Sequence, residues 1–318
     1  MLQRKYGSLK ERLKNFRRIL SKIRLIPSPN REIEVSYGTS DDGLEYASAK
    51  MQGWRLSMED NLNFCLSLPN SLSHWKYFAV FDGHGGSVIS NLCSEKLLGY
   101  IVKTNEFRAL RKDDSRHRDI NLICRGLING FLEFDQDILQ LGDTSGSTAS
   151  LCLITQDYII LVNCGDSRAI LTSKGRILIT TKDHKPDVDL ERERIERAGS
   201  KVLFNRVNGG LAISRSIGDL KYKQPVNIDP RDQAVCAEPD IYFHEKLDDF
   251  IIVLATDGIW DVFTNEDLVK QLEIDTIKTN SSLTNLTMKL LNQALQAGSK
   301  DNMSILIIHK PAKLRLIF

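Results

Sequence analysis

Residues 77–86 read YFAVFDGHGG, and residues 250–258 read FIIVLATDG. Each stretch is an apolar run of strand length that ends beside an aspartate followed by a glycine. A carboxylate at the end of a buried strand is held on a rigid element and faces the edge of the core. Glycine beside it lets the backbone approach a ligand closely. The two stretches predict buried strands that carry Asp82 and Asp257 to the margin of the protein.

Other acidic residues recur at similar places. Gly165-Asp166 follows the run Tyr158–Cys164, Asp301-Asn302 precedes Met303–Ile308, and Glu59-Asp60 forms a further acidic pair. Any one of these aspartates could be a turn former. Several carboxylates brought together would repel one another unless cations neutralise them, and all-oxygen ligands favour Mg²⁺ or Mn²⁺ over Zn²⁺. Together they predict a site for hard divalent ions.

Two ions that share a carboxylate can activate a water molecule and direct it at phosphorus. Arg55, four residues before Glu59, offers a planar group suited to phosphate oxygens. His84 could protonate the leaving alkoxide. The alternatives are a surface arginine and a histidine packed for structural reasons. The pattern favours hydrolysis of a phosphate ester.

The remaining elements favour antiparallel sheets with helices packed outside them, since strict strand–helix alternation is lacking. Lys174-Gly175 between two apolar runs predicts a hairpin turn. The predicted strands are Trp75–Phe81, Ala149–Ile154, Tyr158–Cys164, Ala169–Ser173, Arg176–Thr180, Asp249–Ala255 and Met303–His309. The predicted helices are Ser87–Lys103, Asp119–Leu139, Val188–Ala198, Asn265–Leu272 and Ser282–Gln296.

Charge divides the chain into a basic arm and an acidic body. The first 31 residues hold ten Lys or Arg and one acidic residue, Glu11, so their net charge is +9. The whole chain has a net charge of +2, which leaves −7 for the remaining residues. An acidic body argues against nucleic-acid binding. No run approaches the ~20 apolar residues of a membrane span. Six scattered cysteines without a signal peptide indicate reduced thiols inside the cell.

The arm has its own pattern, in which apolar residues repeat at helical spacing from Leu9 to Ile23 among basic residues until Pro27 and Pro29. Such a basic amphipathic helix suits a membrane surface, a docking partner or a mitochondrial import signal. A solvated extension without a function of its own is the alternative. We expect a basic amphipathic extension over residues 1–40, one catalytic domain over 41–312, and a short tail over 313–318.

The motifs, in their order along the chain, closely resemble the type 2C (PPM) family of metal-dependent protein phosphatases. The resemblance covers about residues 41–310. Its motifs are RLSMED at 55–60, FDGHGG at 81–86, SGSTA at 145–149, CGDSR at 164–168, DHKP at 183–186, DGIWD at 257–261 and DN at 301–302, with further matches through Leu211–Asp219. It implies an α+β fold, a four-layer αββα sandwich of two antiparallel β-sheets flanked by helices, with a metal centre in a cleft at one end.

The resemblance also assigns roles to single residues. Asp82 would bridge two Mg²⁺ or Mn²⁺ ions per subunit, and Glu59 with the carbonyl of Gly83 would complete the protein ligands of one ion. Asp257 and Asp301 would hold the other ion, while Asp60 would orient a water ligand. Arg55 would bind the phosphate and His84 would act as general acid. Asp166 and Asp261, with Asp257, match a weaker third metal site.

These matches predict a protein phosphatase that acts on phosphoserine and phosphothreonine in phosphoprotein substrates. The alternatives are a non-catalytic module with the same fold and a phosphatase for small phosphoesters. We expect an intracellular monomer, cytoplasmic or nuclear, with a mitochondrial location as the alternative through the basic arm. Position 2 is not glycine, so no myristoylation is expected, and no C-terminal regulatory domain is expected after residue 312.

Overall fold

Strand Phe250–Ala255 shows how the protein is layered, because both of its faces are buried. Phe250, Ile252 and Leu254 pack between two sheets, whereas Ile251, Val253 and Ala255 pack against helices. Successive side chains of a strand point to opposite faces, so a continuous apolar run is what a strand between two layers requires. The computed structural model describes residues 25–113, 117–224, 228–274 and 282–312.

Two antiparallel sheets form the centre, in the strand orders β1-β2-β16-β15-β9-β10 and β14-β8-β7-β4-β3. Two small sheets, β13-β6-β5 and β11-β12, lie beside them. The strands are β1 Leu25–Thr39, β2 Glu45–Arg55, β3 Asn61–Cys65, β4 Lys76–Phe81, β5 Gly83–His84, β6 Gly146–Ser147, β7 Ala149–Ile154, β8 Tyr158–Cys164, β9 Arg168–Ser173, β10 Arg176–Thr180, β11 Val202–Leu203, β12 Arg206–Val207, β13 Ile217–Gly218, β14 Asp240–Glu245, β15 Phe250–Ala255 and β16 Met303–Lys310.

Helices cover the outer face of each large sheet. Those on the five-stranded sheet are α1 Val88–Lys103, α2 Asn105–Lys112 and α3 Ile120–Leu139, and those on the six-stranded sheet are α5 Asp257–Trp260, α6 Asn265–Glu273 and α7 Leu283–Gln296. Helix α4, Asp189–Arg197, lies outside these layers and packs in a smaller cluster with β12. No helix in the described part of the chain is long and apolar enough to cross a bilayer. The predicted four-layer α+β sandwich is confirmed.

Strand β1 lies within the segment that was predicted to be an N-terminal extension. Leu25–Thr39 pairs with β2, although residues 1–40 were expected to form an extension. The strand is half-exposed and its register shifts twice between Leu25 and Ile33, where Pro27 and Pro29 lie. An edge strand tolerates proline and lacks a strong apolar pattern because only one neighbour pairs with it. The predicted helix before residue 25 and the tail after residue 312 lie outside the described residues.

Most predicted elements are present within one or two residues, including the hairpin at Lys174-Gly175, where both residues have positive φ. The elements that were not predicted are strands β1, β2, β3 and β14, the two-residue strands β5, β6, β11, β12 and β13, and helices α2 and α5. The sequence of β2, EYASAKMQGWR, is rich in residues with low β propensity, so only its central place in the sheet makes it a strand. All six cysteines are free thiols, four of them buried.

A buried ion cluster fastens the segment between β10 and β14 to the sandwich. Glu191 of α4 accepts hydrogen bonds from Arg215 at 2.7 and 3.0 Å and pairs with Arg194 at 2.8 Å, and Arg215 reaches Asp240 of β14 at 2.9 Å. Burial alone would raise the pKa of Glu191. The two arginines outweigh burial and lower that pKa from 4.5 to about 2.

We expect Glu191→Gln to lower the free energy of unfolding by about 3 kcal/mol at pH 7, because buried Arg194 and half-buried Arg215 each lose an anionic partner. A lowered pKa stabilises the fold above the unfolded value of 4.5, and this contribution is lost as pH falls toward about 2. In urea denaturation at pH 3, the difference in unfolding free energy between the wild type and Glu191→Gln should therefore be about half of its value at pH 7 or less. Glu34→Gln is the matched control, since Glu34 pairs with Lys50 at the surface and should change stability by less than about 1 kcal/mol. A gap that stays constant with pH would assign the loss to packing.

Candidate metal centre

The registers of both large sheets bring the predicted site residues to one end of the sandwich. In the five-stranded sheet the last residue of β4, Phe81, pairs with Asn61, and the last residue of β8, Cys164, pairs with Ala149. In the six-stranded sheet Ala255 pairs with Ile305 and with Arg168. The segments that follow or precede these strand ends therefore meet. They carry Arg55, Glu59, Asp60, Asp82, Asp166, Asp257 and Asp301.

Asp82 lies at the centre of the acidic group. Burial and the charges of Asp257, Asp60 and Asp301 raise its pKa well above the ordinary value. Its backbone is fixed by Thr148, whose hydroxyl accepts from the Asp82 N–H at 3.1 Å and whose N–H donates to the Asp82 carbonyl at 2.9 Å. Thr148 therefore fixes the position of Asp82 through its backbone, and neither of these hydrogen bonds uses a carboxylate oxygen of Asp82.

Asp60 is the most deeply buried of the predicted ligands, with 2% of its surface exposed. Its Oδ2 accepts hydrogen bonds from Ser304 Oγ at 2.8 Å and Thr256 Oγ1 at 3.0 Å. Burial, with the charge of Asp301, raises its pKa to about 7 in spite of these hydrogen bonds. Ser304 and Thr256 orient this carboxylate and were not predicted from the sequence.

Glu59 and Gly83 lie against each other. A Cβ added at Gly83 would come within 2.4 Å of the Glu59 carbonyl oxygen, so only glycine allows the two backbones to lie this close. The Glu59 carboxylate accepts from Ser57 Oγ at 2.8 Å and from the Gly86 N–H at 3.1 Å. The Glu59 N–H donates to Asn302 Oδ1 at 2.9 Å, which ties this segment to the start of β16.

Asp257 carries the clearest sign of a missing positive partner. Burial and the charges of Asp166, Asp301 and Asp261 raise its pKa well above the ordinary value. Within the described residues its Oδ1 is buried and accepts no hydrogen bond. A buried, unpaired carboxylate oxygen is costly unless a cation compensates it. This atom fits a metal ligand.

Asp301 forms an ion pair with Arg55 Nη2. Burial raises the pKa of Asp301 although Arg55 lowers it. The Arg55 Nε–H is buried and has no partner in the described part of the protein. Since 38% of the Arg55 side chain is exposed, the guanidinium is still accessible to an anion.

The residues expected at a third metal site are accompanied by a lysine. Lys185 Nζ lies 2.5 Å from Asp166 Oδ2. Asp261 has an exposed side chain, but the protein around its carboxyl removes part of the water and raises its pKa, as does the charge of Asp166. Lys185 acts in the opposite direction and lowers that pKa. The sequence pattern grouped Asp166, Asp257 and Asp261 without showing that Lys185 would share the site.

His84 follows the acidic centre on β5, and its Nε2 lies 2.6 Å from Asp219 Oδ2. Burial lowers the pKa of His84, but the adjacent Asp219 carboxylate outweighs it and the pKa is raised. Asp219 was not among the predicted site residues. It ends the motif match Leu211–Asp219, which was the available signal.

The acids are neighbours without forming a closed cage. In residues 25–113, 117–224, 228–274 and 282–312, no three Asp, Glu, His or Cys side chains direct their ligand atoms to one common position. Protein donors occupy several of them instead, as Arg55 does for Asp301 and Lys185 for Asp166. The unpaired Asp257 oxygen and the mutual repulsion of five aspartates are nevertheless the electrostatics that hard divalent cations relieve.

The profile of the family described as Protein phosphatase 2C matches residues 44–303, which is more than half of the chain. This chain belongs to the protein phosphatase 2C family. Human protein phosphatase 1B is 39% identical over 292 residues, which make up 89% of this chain and 60% of that protein. The chain therefore spans less than two thirds of that relative. Mouse protein phosphatase 1A is 38% identical over 295 residues, 90% of this chain and 76% of that protein.

Solved structures agree on the fold. A phosphatase from a pathogenic strain of Toxoplasma gondii superposes with a TM-score of 0.75 at 22% identity, covering 88% of this chain and 96% of that one. A sex determining protein of C. elegans gives 0.68 at 26% identity, covering 85% and 65%. The family consists of protein serine/threonine phosphatases that use Mg²⁺ or Mn²⁺, so the resemblance stated from the motifs is confirmed.

Proposed function

We propose that this chain hydrolyses phosphoserine and phosphothreonine in proteins, with two Mg²⁺ or Mn²⁺ ions per subunit held by Glu59, Asp82, the Gly83 carbonyl, Asp257 and Asp301. The observation that carries this proposal is the gathering of aspartates at one end of the sandwich, where they raise one another's pKa and where Asp257 Oδ1 is buried without a hydrogen-bond partner among the described residues. When bound, the ions would neutralise this charge, activate water and polarise the phosphate.

The protein's own residues supply the other requirements of the reaction. Asp60, held by Ser304 and Thr256, would orient the attacking water as a fixed acceptor. Arg55 would bind phosphate oxygens through the exposed part of its guanidinium, beside the ion pair with Asp301. His84 would give a proton to the serine or threonine oxygen as the phosphorus–oxygen bond breaks. Asp166, Asp257 and Asp261 would form a weaker third site.

Comparison of substrates tests this function directly. With Mn²⁺ present, we expect phosphate release from phosphothreonine and phosphoserine peptides, and kcat/KM at least about tenfold lower for a phosphotyrosine peptide and for small metabolite phosphates. Faster turnover of the small phosphoesters would favour the alternative of a small-molecule phosphatase. Phosphopeptide binding without hydrolysis would favour the non-catalytic module.

We further propose that the protein acts as a monomer inside the cell, in cytoplasm or nucleus, and that residues 1–24 serve docking or localisation. The charge of the arm supports the docking or localisation role, because its basic residues suit an anionic surface. A fluorescent protein fused to residues 1–24 would distinguish cytosol, membrane surface and mitochondrion.

A further inference from the structure

A buried carboxylate lies directly behind His84. Asp219 is 3% exposed, and its Oδ2 lies 2.6 Å from His84 Nε2. The two residues are 135 positions apart in the chain. A short contact between a buried carboxylate and the imidazole of the proposed general acid indicates a role in orienting that ring.

The small sheet β13-β6-β5 brings the two side chains together. His84 on β5 pairs with Gly146 on β6, and Gly146 pairs with Gly218 on β13, directly before Asp219. A Cβ at Gly146 would come within 2.3 Å of Asp219 Oδ2 and 2.5 Å of His84 Nε2. The imidazole and the carboxylate therefore meet over the middle strand only because that strand has no side chain there.

The carboxylate is itself held firmly. Ser216 Oγ donates to Asp219 Oδ2 at 2.6 Å, and the Asp219 N–H donates to the Ser145 carbonyl at 3.0 Å. Its φ of 57° is left-handed, a conformation that aspartate and asparagine tolerate better than most residues. The nearby cation, Lys223, contacts both oxygens of Asp135 at 2.7 Å, whereas the His84 imidazole contacts Asp219 directly at 2.6 Å.

We propose that Asp219 is a positioning residue that accepts a hydrogen bond from His84 Nε2–H and leaves Nδ1 as the nitrogen that delivers the proton. This inference rests on the proposed function. As the phosphorus–oxygen bond to serine or threonine breaks, its electron pair stays on the leaving oxygen, which takes the Nδ1 proton. The water oxygen forms the new bond to phosphorus and releases one proton to solvent. The imidazolium becomes a neutral imidazole, with Nε2–H still donating to Asp219, and regains its Nδ1 proton from solvent. A carboxylate that fixes a histidine tautomer in this way aids proton transfer in other hydrolases.

Asp219→Asn tests the role with little change in shape, since asparagine also tolerates a positive φ. A threonine alkoxide is a poor leaving group that needs a proton, whereas 4-nitrophenolate leaves without one. We expect kcat to fall by about 10- to 100-fold on a phosphothreonine peptide and by less than about threefold on 4-nitrophenyl phosphate. In a His84→Asn background, Asp219→Asn should cause no further loss on the peptide.

Two glycine variants test the same contact without changing either His84 or Asp219. Gly146→Ala places a methyl group between the two side chains and should reproduce the leaving-group dependence, while Gly99→Ala, a helical position with open space around its Cβ, should not. Proton NMR should show a low-field imidazole N–H signal in the wild type that is absent from His84→Asn and Asp219→Asn.

Equal losses on both substrates, or additive losses in the double variant, would reduce Asp219 to a structural role and overturn the inference. If the wild type proves inactive on all phosphoesters, the proposed function fails. The NMR signal then still decides separately whether Asp219 fixes the His84 ring.

Discussion

Asp82→Asn is expected to lower kcat/KM on a phosphothreonine peptide by at least about 1,000-fold. The charges of Asp257, Asp60, Asp301 and Asp166 all raise the pKa of Asp82, and in the proposed arrangement Asp82 would serve both ions. Asparagine has nearly the same volume, and the hydrogen bonds of Asp82 with Thr148 involve only its backbone, so they persist. The loss should therefore come from the charge and not from the fold.

Thermal unfolding separates these two causes. Without metal, the variant should melt at the same temperature as the wild type or higher, because one buried like charge is removed. Mn²⁺ should raise the melting temperature of the wild type and leave that of the variant nearly unchanged. Asp137→Asn is the matched control, since Asp137 is exposed on α3 and its carboxylate accepts a hydrogen bond from the Tyr100 hydroxyl at 2.7 Å. Near-full activity of Asp82→Asn would refute the metal assignment.

Removal of divalent cations is the second change with a large expected effect. After dialysis against EDTA we expect no measurable turnover, with recovery on addition of Mg²⁺ or Mn²⁺. The physical reason is that the metal-free aspartates repel one another and that Asp257 Oδ1 has no partner in the part of the chain that the structure describes. The site then has an excess of negative charge facing an anionic substrate.

Binding can be measured apart from activity. Native mass spectrometry or metal analysis should show two ions bound at low Mn²⁺ and a third only at higher concentration. The same titration on Asp137→Asn should give the wild-type result. One ion per chain at saturation would contradict a bridging role for Asp82, and full activity with no bound metal would contradict the proposed mechanism.

Local pattern was enough to identify much of this protein. Strand Phe250–Ala255 could be predicted because both faces are apolar, a property of six consecutive residues. The hairpin at Lys174-Gly175 and most helices likewise depend on neighbours in sequence. The candidate ligands Glu59, Asp82, Asp257 and Asp301 were found because each lies beside a strand end or within a short family motif.

Other features follow from contacts between distant segments. Leu25–Thr39 has the composition of an exposed linker, and it is a strand because β2 offers a free edge. The ion pair of Lys185 with Asp166 also joins two motifs that are separate in the sequence.

By itself, the sequence determined the family, the two-sheet architecture and the identity of the acids at the strand ends, because those depend on side-chain type and local periodicity. Only the tertiary structure decided that Asp257 Oδ1 has no partner within the described residues and that Asp219 meets His84 across Gly146. Both depend on the register between strands and on what fills the space between them, and neither register nor space is encoded by neighbouring residues alone.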